Sequence, residues 1–338
     1  MVSDKFIMPK GLYKMRIKVS FYKLNARLFN LFLFFQIGLI SSIFAQPNAG
    51  TNFNKNPKLT ILGTVQDGGC PHIGCTKVCC QIADSTKKVV SLGLIDFEAG
   101  KKYLFEATPE IGNQLKYLQG YTSKSMEFQP DGIFLTHAHI GHYAGLMFLG
   151  KEALNASKIP LFAMPRMKSY LEKSGPWSQL VKLENIVLQP IVEQNQVEIT
   201  PNLKIIPFKV PHRDEFSETV GYKIIGPNKT VLFIPDIDKW QKWDNDLIKE
   251  LFVVDVAFID GTFYSGVELN NRDMSTIPHP SVQETMKICE NLPASEKNKV
   301  HFIHFNHTNP LLNPKSVEYN EVIKKGFHVA RFGEVIEL

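Results

Sequence analysis

The sequence of 338 residues lacks an excess of positive charge once its first 45 residues are set apart. Seven of its 38 basic residues and one of its 33 acidic residues fall in that segment, so the rest carries 31 basic and 32 acidic residues. Proteins that bind nucleic acid normally carry a basic patch or arm. We therefore expect no nucleic-acid partner and predict a small-molecule substrate.

Repeats, low-complexity blocks and an interdomain linker are also missing from residues 58–338. With 44% hydrophobic residues the chain can bury a sizeable core, and no bundle of membrane helices is needed to explain its composition. We predict one compact domain over 58–338, after a flexible lead-in over 46–57 that is rich in Asn, Gly and Pro. A homodimer is compatible with this sequence.

An uncharged apolar run covers residues 28–45, and several basic residues precede it. Small residues, Ser41, Ser42 and Ala45, end the run, as in a secretory signal peptide. We predict a signal peptide over 1–45, export to the periplasm or the medium, and no stable membrane anchor after cleavage. An uncleaved anchor is the alternative, because about 18 apolar residues can just span a bilayer.

The body of the chain alternates short β-rich runs with helical patterns, which predicts sheets covered by helices. The predicted strands are 59–65, 89–95, 103–107, 132–136, 159–163, 203–210, 219–225, 230–234, 254–259 and 299–305. The predicted helices are 109–118, 142–149, 165–173, 239–251, 281–291 and 314–325. This pattern alone does not distinguish a doubly wound sheet from a layered sandwich.

Three histidines, His137, His139 and His142, follow the apolar run 132–135 at a predicted strand-to-helix turn. In a strand the first two side chains point to the same face, and the turn brings the third round to them. Neutral imidazoles at this spacing are typical ligands of zinc or a similar metal.

Four further candidates stand at or near the ends of apolar runs: His212, Asp236, His304 and His307. A carboxylate or imidazole at the end of a buried strand costs free energy unless it is paired or coordinated. Together with the three clustered histidines, these residues predict one composite metal site.

The order of these residues, a His-x-His-x-x-His turn followed by a His, an Asp and a final His, resembles the metallo-β-lactamase superfamily. The closer likeness is to pyrroloquinoline-quinone biosynthesis protein B, through 260–262 (Asp-Gly-Thr) and 303–310. A more distant likeness, through 279–281 (His-Pro-Ser), is to ribonuclease Z and related phosphodiesterases. The resemblance implies an α/β (α+β) fold, arranged as a four-layer αββα sandwich.

The resemblance also implies a dinuclear centre, with zinc as the expected metal and manganese or iron as alternatives. The implied ligands of the first ion are His137, His139 and His212. Those of the second ion are His142 and His304, and Asp236 would bridge both ions and take part in catalysis.

Three supporting roles follow from the same resemblance. Asp260 would orient a ligand imidazole, and His307 would stand behind the ligands. His279 would act in catalysis by protonating the leaving group.

Gly141 departs from the superfamily pattern, because an acid usually stands immediately before the third histidine. That acid normally binds the second ion and helps to position the attacking water. We therefore expect the second site to be weaker or to take a different metal.

The sequence has five cysteines, and four of them lie between Cys70 and Cys80. Such clustering favours a local metal site or a local disulfide over a framework spread along the chain. The quinone-biosynthesis family carries a structural zinc loop at this location, which implies a third ion held by Cys75, Cys79, Cys80 and His72. A disulfide is the alternative in an oxidising compartment.

These residues together predict an exported hydrolase that uses a metal-activated water. The element at 279–281 favours a phosphodiester or cyclic phosphate as substrate, and an ester or lactone stays open. One alternative hypothesis is an iron-dependent oxygenase resembling the quinone-biosynthesis protein. Another is a non-catalytic metal-binding protein in which Gly141 marks lost chemistry.

Overall fold

The computed structural model describes residues 55–122, 126–269 and 273–338. The predicted signal peptide and most of the predicted lead-in lie outside these residues. Within the described part of the chain, no helix is both long and apolar enough to cross a membrane.

Fourteen strands of the described residues form two mixed sheets. Their bounds are β1 Lys58–Gly63, β2 Ser91–Asp96, β3 Lys101–Phe105, β4 Gly132–Phe134, β5 Ile159–Ala163, β6 Ile186–Pro190, β7 Val197–Thr200, β8 Leu203–Lys209, β9 Val220–Ile225, β10 Thr230–Ile234, β11 Val256–Asp260, β12 Val300–Ile303, β13 His328–Val329 and β14 Val335–Glu337. The first sheet has the order β14-β1-β2-β3-β4-β5-β6 and the second the order β13-β12-β11-β10-β9-β8-β7.

Helices connect these strands. The α-helices are α1 Val78–Gln81, α2 Ile111–Gln119, α3 Ile140–Tyr143, α4 Pro165–Lys173, α5 Trp177–Lys182, α6 Leu247–Phe252, α7 Val282–Ile288, α8 Ala294–Lys297 and α9 Val317–Lys324. Short 3₁₀ helices lie at Ala144–Leu149, Trp240–Lys242, Gly266–Leu269, Met274–Thr276 and Pro310–Leu312.

The two sheets pack face to face around a central core. On β10, Val231 and Phe233 point into this core, whereas Leu232 and Ile234 belong to the outer core that α6, α7 and α9 cover. Phe233 meets Phe105 of the opposite sheet with ring centroids 6.1 Å apart. On the other side, α2, α4 and α5 cover the outer face of the first sheet. This period-two alternation between two apolar surfaces gives four layers, so the predicted αββα sandwich is confirmed.

Parallel strands lie side by side in both sheets. In the first sheet β3, β4, β5 and β6 run parallel, and in the second β10, β11, β12 and β13 do so. Ligands in open α/β sheets bind beyond the carboxyl ends of such strands. His137, Asp236 and His304 lie in the segments that directly follow β4, β10 and β12, whereas His212 follows β8, which pairs antiparallel with β7 and β9.

Two predicted helices are wrong in part. The segment 239–251 contains a 3₁₀ turn and then α6, because the Asp246 side chain accepts hydrogen bonds from the backbone N–H groups of Ile248 and Lys249 and starts a new helix there. The segment 142–149 continues α3 as a 3₁₀ helix. The sequence patterns also missed β6, β7, β13 and β14, which are short or lie at sheet edges.

Candidate metal centre

The first group of candidate ligands comprises His137, His139, His212 and Asp236. One potential ligand atom from each lies within 4.8 Å of those of the other three. Asp236 Oδ2 is 3.2 Å from His212 Nε2 and 3.4 Å from His137 Nε2. His137 Nε2 and His139 Nδ1 are 2.8 Å apart. The structure therefore brings together the three histidines assigned to the first ion and the proposed bridging aspartate.

Hydrogen bonds on the far side of the imidazoles fix their orientation. His137 Nδ1 lies 2.8 Å from Thr136 Oγ1, and His139 Nε2 lies 3.2 Å from Glu215 Oε2. Such partners select the tautomer and leave the opposite ring nitrogen available as a ligand. The turn itself is fixed by Ser217, whose hydroxyl accepts from the backbone N–H of Ala138 at 2.8 Å.

The second group comprises Asp67, His142 and His304, again with potential ligand atoms within 4.8 Å of one another. His142 comes from α3, and His304 follows β12 in the left-handed backbone region with a φ of 67°. His304 Nδ1 is 2.8 Å from Thr262 Oγ1, which in turn donates to Asp260 Oδ1 at 2.7 Å. This chain leaves Nε2 of His304 to face the site.

Asp236 links the two groups. Its Oδ2 lies 3.9 Å from His142 Nε2 and 4.0 Å from His304 Nε2, in addition to its contacts with the first group. The Asp236 side chain is 3% exposed, so its charge depends on these neighbours. A buried carboxylate between two sets of imidazoles can bridge two cations.

Several polar atoms in this centre are buried without a hydrogen-bond partner in the described residues. They include Nε2 of His142 and Nε2 of His304, which both face the Asp236 carboxylate. A buried polar group left without a partner costs about 1–3 kcal/mol. Because these atoms converge and combine imidazole with carboxylate, they fit divalent ions such as zinc, manganese or iron.

Charge states in the first group also suit a metal. Burial holds the pKa of His137 well below its usual value. Burial raises the pKa of Asp236, but the imidazoles of His212 and His279 outweigh it and hold that pKa well below the ordinary range. A neutral imidazole at His137 and an ionised carboxylate at Asp236 are the forms in which such residues bind metal.

His279 lies next to Asp236 without belonging to the first group. Its Nδ1 is 2.9 Å from Asp260 Oδ2 and 3.2 Å from Asp236 Oδ1. Burial lowers the pKa of His279, but Asp260 and Asp236 outweigh it and raise that pKa to about 10. Asp260 therefore orients His279 directly and His304 through Thr262.

Glu106 is a functional candidate that the sequence analysis missed. It follows β3 fully buried, with a φ of 75°, and its Oε1 lies 3.4 Å from His142 Nδ1. Left-handed backbone at a non-glycine residue is often found at functional sites. The available signal was an acid at the end of a buried apolar strand, the same signal that identified Asp236.

The structure corrects the interpretation of His307. Its ring stacks on His72 with centroids 4.4 Å apart, and one ring nitrogen lies within 4.8 Å of the Cys75 and Cys80 thiols. His307 therefore belongs to the cysteine loop rather than to the residues behind the ligands. Strand β12 ends just before the candidate ligand His304, and by His307, three residues later, the backbone has reached that loop.

The cysteine loop has its own candidate ligand group of Cys75, Cys80 and His307. All five cysteines of the chain are free thiols, so the structure contains none of the alternative disulfides. Burial raises the pKa of Cys80, but the backbone N–H of His72 and neighbouring thiols outweigh it and lower that pKa. Of the four residues implied for a third ion, Cys75 and Cys80 are in this group, whereas Cys79 and His72 border it.

Two facing mixed sheets, with imidazoles and a shared aspartate beyond their parallel strands, define the class of metallo-β-lactamase-fold proteins. The profile of the β-lactamase superfamily domain matches residues 101–304, and the chain belongs to this superfamily.

Among curated proteins, the chain is similar to coenzyme PQQ synthesis protein B of Ruegeria pomeroyi, with 22% identity over 83% of this chain and 100% of the relative. The protein of the same name from Klebsiella pneumoniae is 25% identical over 83% of this chain and 98% of the relative.

Solved structures share the fold. Zinc-bound PqqB from Methylobacterium extorquens has a TM-score of 0.67 and 22% identity, over 83% of this chain and 100% of that one. A diphosphatase from the PhnP family has a TM-score of 0.60 and 20% identity, over 84% of this chain and 97% of that one. The short form of human tRNase Z has a TM-score of 0.53 and 14% identity, over 82% of this chain and 98% of that one.

Proposed function

We propose that this protein is a metal-dependent hydrolase that cleaves a phosphodiester or a cyclic phosphate. The observation that carries the proposal is the position of Asp236, whose Oδ2 lies within 4.0 Å of ring nitrogens of five histidines. One carboxylate shared by two sets of imidazoles is the ligand arrangement that a pair of divalent ions requires. Such ions, when bound, supply a water of lowered pKa and positive charge for the developing oxyanion.

His279 is the residue that would move a proton in this reaction. Both of its carboxylate contacts use Nδ1, so Nε2 is the ring nitrogen left to face a substrate. As the water oxygen bonds to phosphorus and the bond to the leaving oxygen breaks, the Nε2 proton passes to that oxygen. Lys239 Nζ holds the His279 backbone by donating to its carbonyl oxygen at 2.8 Å.

The similarity to solved structures supports a phosphate substrate over a carboxylic ester. A diphosphatase and a tRNase Z share the fold across more than four-fifths of this chain. A basic surface for a long polynucleotide is not expected from the nearly neutral charge of residues 46–338, so we propose a small phosphodiester.

The experiment is a hydrolysis panel with the protein over residues 46–338, loaded with Zn²⁺ or Mn²⁺. Bis(p-nitrophenyl) phosphate and 2′,3′-cyclic nucleotides would be compared with p-nitrophenyl acetate and simple lactones. His279→Ala should lower kcat by about 10²–10⁴-fold at unchanged metal content. His328→Ala is the matched control, because His328 lies on β13 and pairs with Asn298 at 2.8 Å. Equal turnover in the His279 variant would remove that residue from the mechanism, and no hydrolysis of any substrate would overturn the proposal.

An iron-dependent oxygenase is the second candidate. It is favoured by the first group, which offers three histidines and one carboxylate, and by the likeness to the coenzyme PQQ synthesis proteins. Oxygen uptake by the Fe²⁺-loaded protein on a phenolic or tyrosine-containing peptide, without hydrolysis of any phosphodiester, would favour it over the hydrolase.

We also propose that the chain is exported and loses residues 1–45. The support is the basic segment and apolar run of the sequence. Mass spectrometry of the protein recovered from the periplasm or medium should give a chain that begins at Gln46. Light scattering of the same sample would distinguish a monomer from a homodimer.

A further inference from the structure

Gly141 stands where the superfamily pattern has an acid, and the space beside it is occupied by Asp67. A Cβ built on Gly141 would lie 1.9 Å from Asp67 Cβ and 2.4 Å from Asp67 Cα. Atoms cannot approach so closely, so a side chain at position 141 and the present path of Asp67 exclude each other. The glycine is therefore required by the loop that carries Asp67.

That loop is attached to the segment that carries His304. The backbone N–H of Phe305 donates to Thr64 O at 2.8 Å, and the N–H of Gln66 donates to Phe305 O at 2.8 Å. Two hydrogen bonds to the neighbour of His304 fix the backbone immediately before Asp67. A turn closed by Gly69, whose N–H donates to Gln66 O at 2.9 Å, then directs the chain away.

As a result, the Asp67 carboxylate reaches His142 and His304. Ligand atoms of the three residues lie within 4.8 Å of one another, and Nε2 of both histidines is buried without a hydrogen-bond partner in the described chain. Asp67 itself is half-buried. An oxygen donor beside two unpartnered imidazoles completes a three-residue ligand set, which a bridging aspartate extends to four.

We propose that Asp67 is the carboxylate ligand of the second metal ion, replacing the acid that is missing at position 141. The same ligand type thus reaches the same ion from a loop of the first sheet instead of from the histidine turn. The expectation of a weak second site assumed that no other carboxylate reaches it. If Asp67 is that carboxylate, the second site need not be weak. The inference rests on the proposed metal centre but not on hydrolysis.

The test is metal stoichiometry, measured by elemental analysis and by the visible spectrum of the Co²⁺-loaded protein. Asp67→Asn keeps the shape of the side chain and should lose one ion, or bind it more than about 100-fold more weakly. Replacing a residue that merely orients a ligand already lowers metal affinity by about 10–100-fold, and a ligand itself should matter more. Gly141→Ala should have the same effect by displacing Asp67 without removing it.

Two controls isolate this effect. Asp84→Asn changes an exposed carboxylate that follows the same loop, and Gly112→Ala adds a methyl where nothing lies within 4 Å. Both should keep every ion and the wild-type cobalt spectrum. Unchanged stoichiometry and spectrum in Asp67→Asn, with the protein folded by circular dichroism, would overturn the assignment. Loss of all ions would also overturn it, whereas a wild-type protein that binds no ion would instead refute the metal centre itself.

Discussion

The two halves of the candidate metal centre are built in different ways. The first half takes His137 and His139 from one short turn, and its other members directly follow apolar strands of the second sheet. The second half combines His142 of that turn with His304 and with Asp67 from a loop near the start of the domain. Ligands that share a motif or end a strand can be found in a sequence, whereas a ligand supplied by a loop is found only when the fold is known.

The largest expected effect comes from Asp236, because it belongs to both halves. Asp236→Ala should lower the affinity for both ions by at least about 100-fold and abolish turnover. Replacing a residue that only orients a ligand already lowers metal affinity by about 10–100-fold. Elemental analysis after dialysis measures the ions. Asp238→Asn is the control, because Asp238 pairs with Lys242 at 2.6 Å and contacts no candidate ligand in the described residues. If Asp236→Ala kept one ion at full affinity, Asp236 would belong to one half only.

The next prediction tests whether the halves can be separated. Glu106 contacts His142 directly and reaches the first group only through the backbone N–H of Thr136, which donates to Glu106 Oε2 at 3.5 Å. Because the amide oxygen of glutamine can still accept that bond, Glu106→Gln should weaken binding of the second ion alone, by about 10–100-fold. A zinc competition titration would resolve the two affinities. Glu152→Gln, a change at an exposed position, should leave both affinities unaltered. An equal loss at both ions would mean that the halves fold and bind as one unit.

The sequence predicts elements whose ends are marked locally, and it misses elements that depend on distant partners. The strands at 159–163 and 230–234 have the predicted bounds, because a lysine precedes each mainly apolar run and a proline, at 165 or 235, stands within two residues of its end. Strand β14, at Val335–Glu337, was missed because its three residues form a strand only through pairing with β1.

Within the site, the sequence identified His137, His139, His142, His212, Asp236, Asp260, His279 and His304, and the structure brings all of these residues together. It did not single out Asp67, the carboxylate proposed for the second ion, because nothing in the chain marks which loop approaches Gly141. It also placed His307 with the histidine centre rather than the cysteine loop, because a histidine three residues after a candidate ligand gives no sign of which way the backbone turns.

The cysteine loop extends the comparison to a third cluster. Cys75→Ser should remove one ion that the histidine centre does not hold, while turnover changes little, because sites without shared partners behave independently. Any stability that the loop-bound ion contributes would be lost with it, and each lost kcal/mol should lower the Tm of Cys75→Ser by about 2–4 °C. Cys289→Ala should retain every ion, because Cys289 lies in the outer core of the second sheet. A joint loss of the cysteine-bound ion and an ion of the histidine centre would contradict this independence. It would show that the two sites are coupled, through the chain segment that joins Asp67 to Cys75.

The smallest effect is expected at Ser281, which positions His279 only through the helix that follows it. The Ser281 hydroxyl accepts from the backbone N–H of Glu284 at 3.1 Å, and the Glu284 carboxylate accepts from Lys239, which also holds the His279 carbonyl. Ser281→Ala should cost about 1 kcal/mol of stability, as the loss of a helix N-cap usually does, and should leave metal content unchanged. Ser281→Asp should restore the stability, because aspartate caps helices as well as serine does.

The kcat values of the two Ser281 variants then show which contacts fix the position of His279. If kcat falls with Ser281→Ala and returns with Ser281→Asp, the cap of α7 sets the position of the imidazole through Glu284 and Lys239. If thermal unfolding shows the loss of stability while kcat stays at the wild-type value, Asp260 alone is sufficient to orient His279. In that case the proton donor is held like the first half of the centre, by a buried residue at the end of a strand, and not like the second half, by a loop.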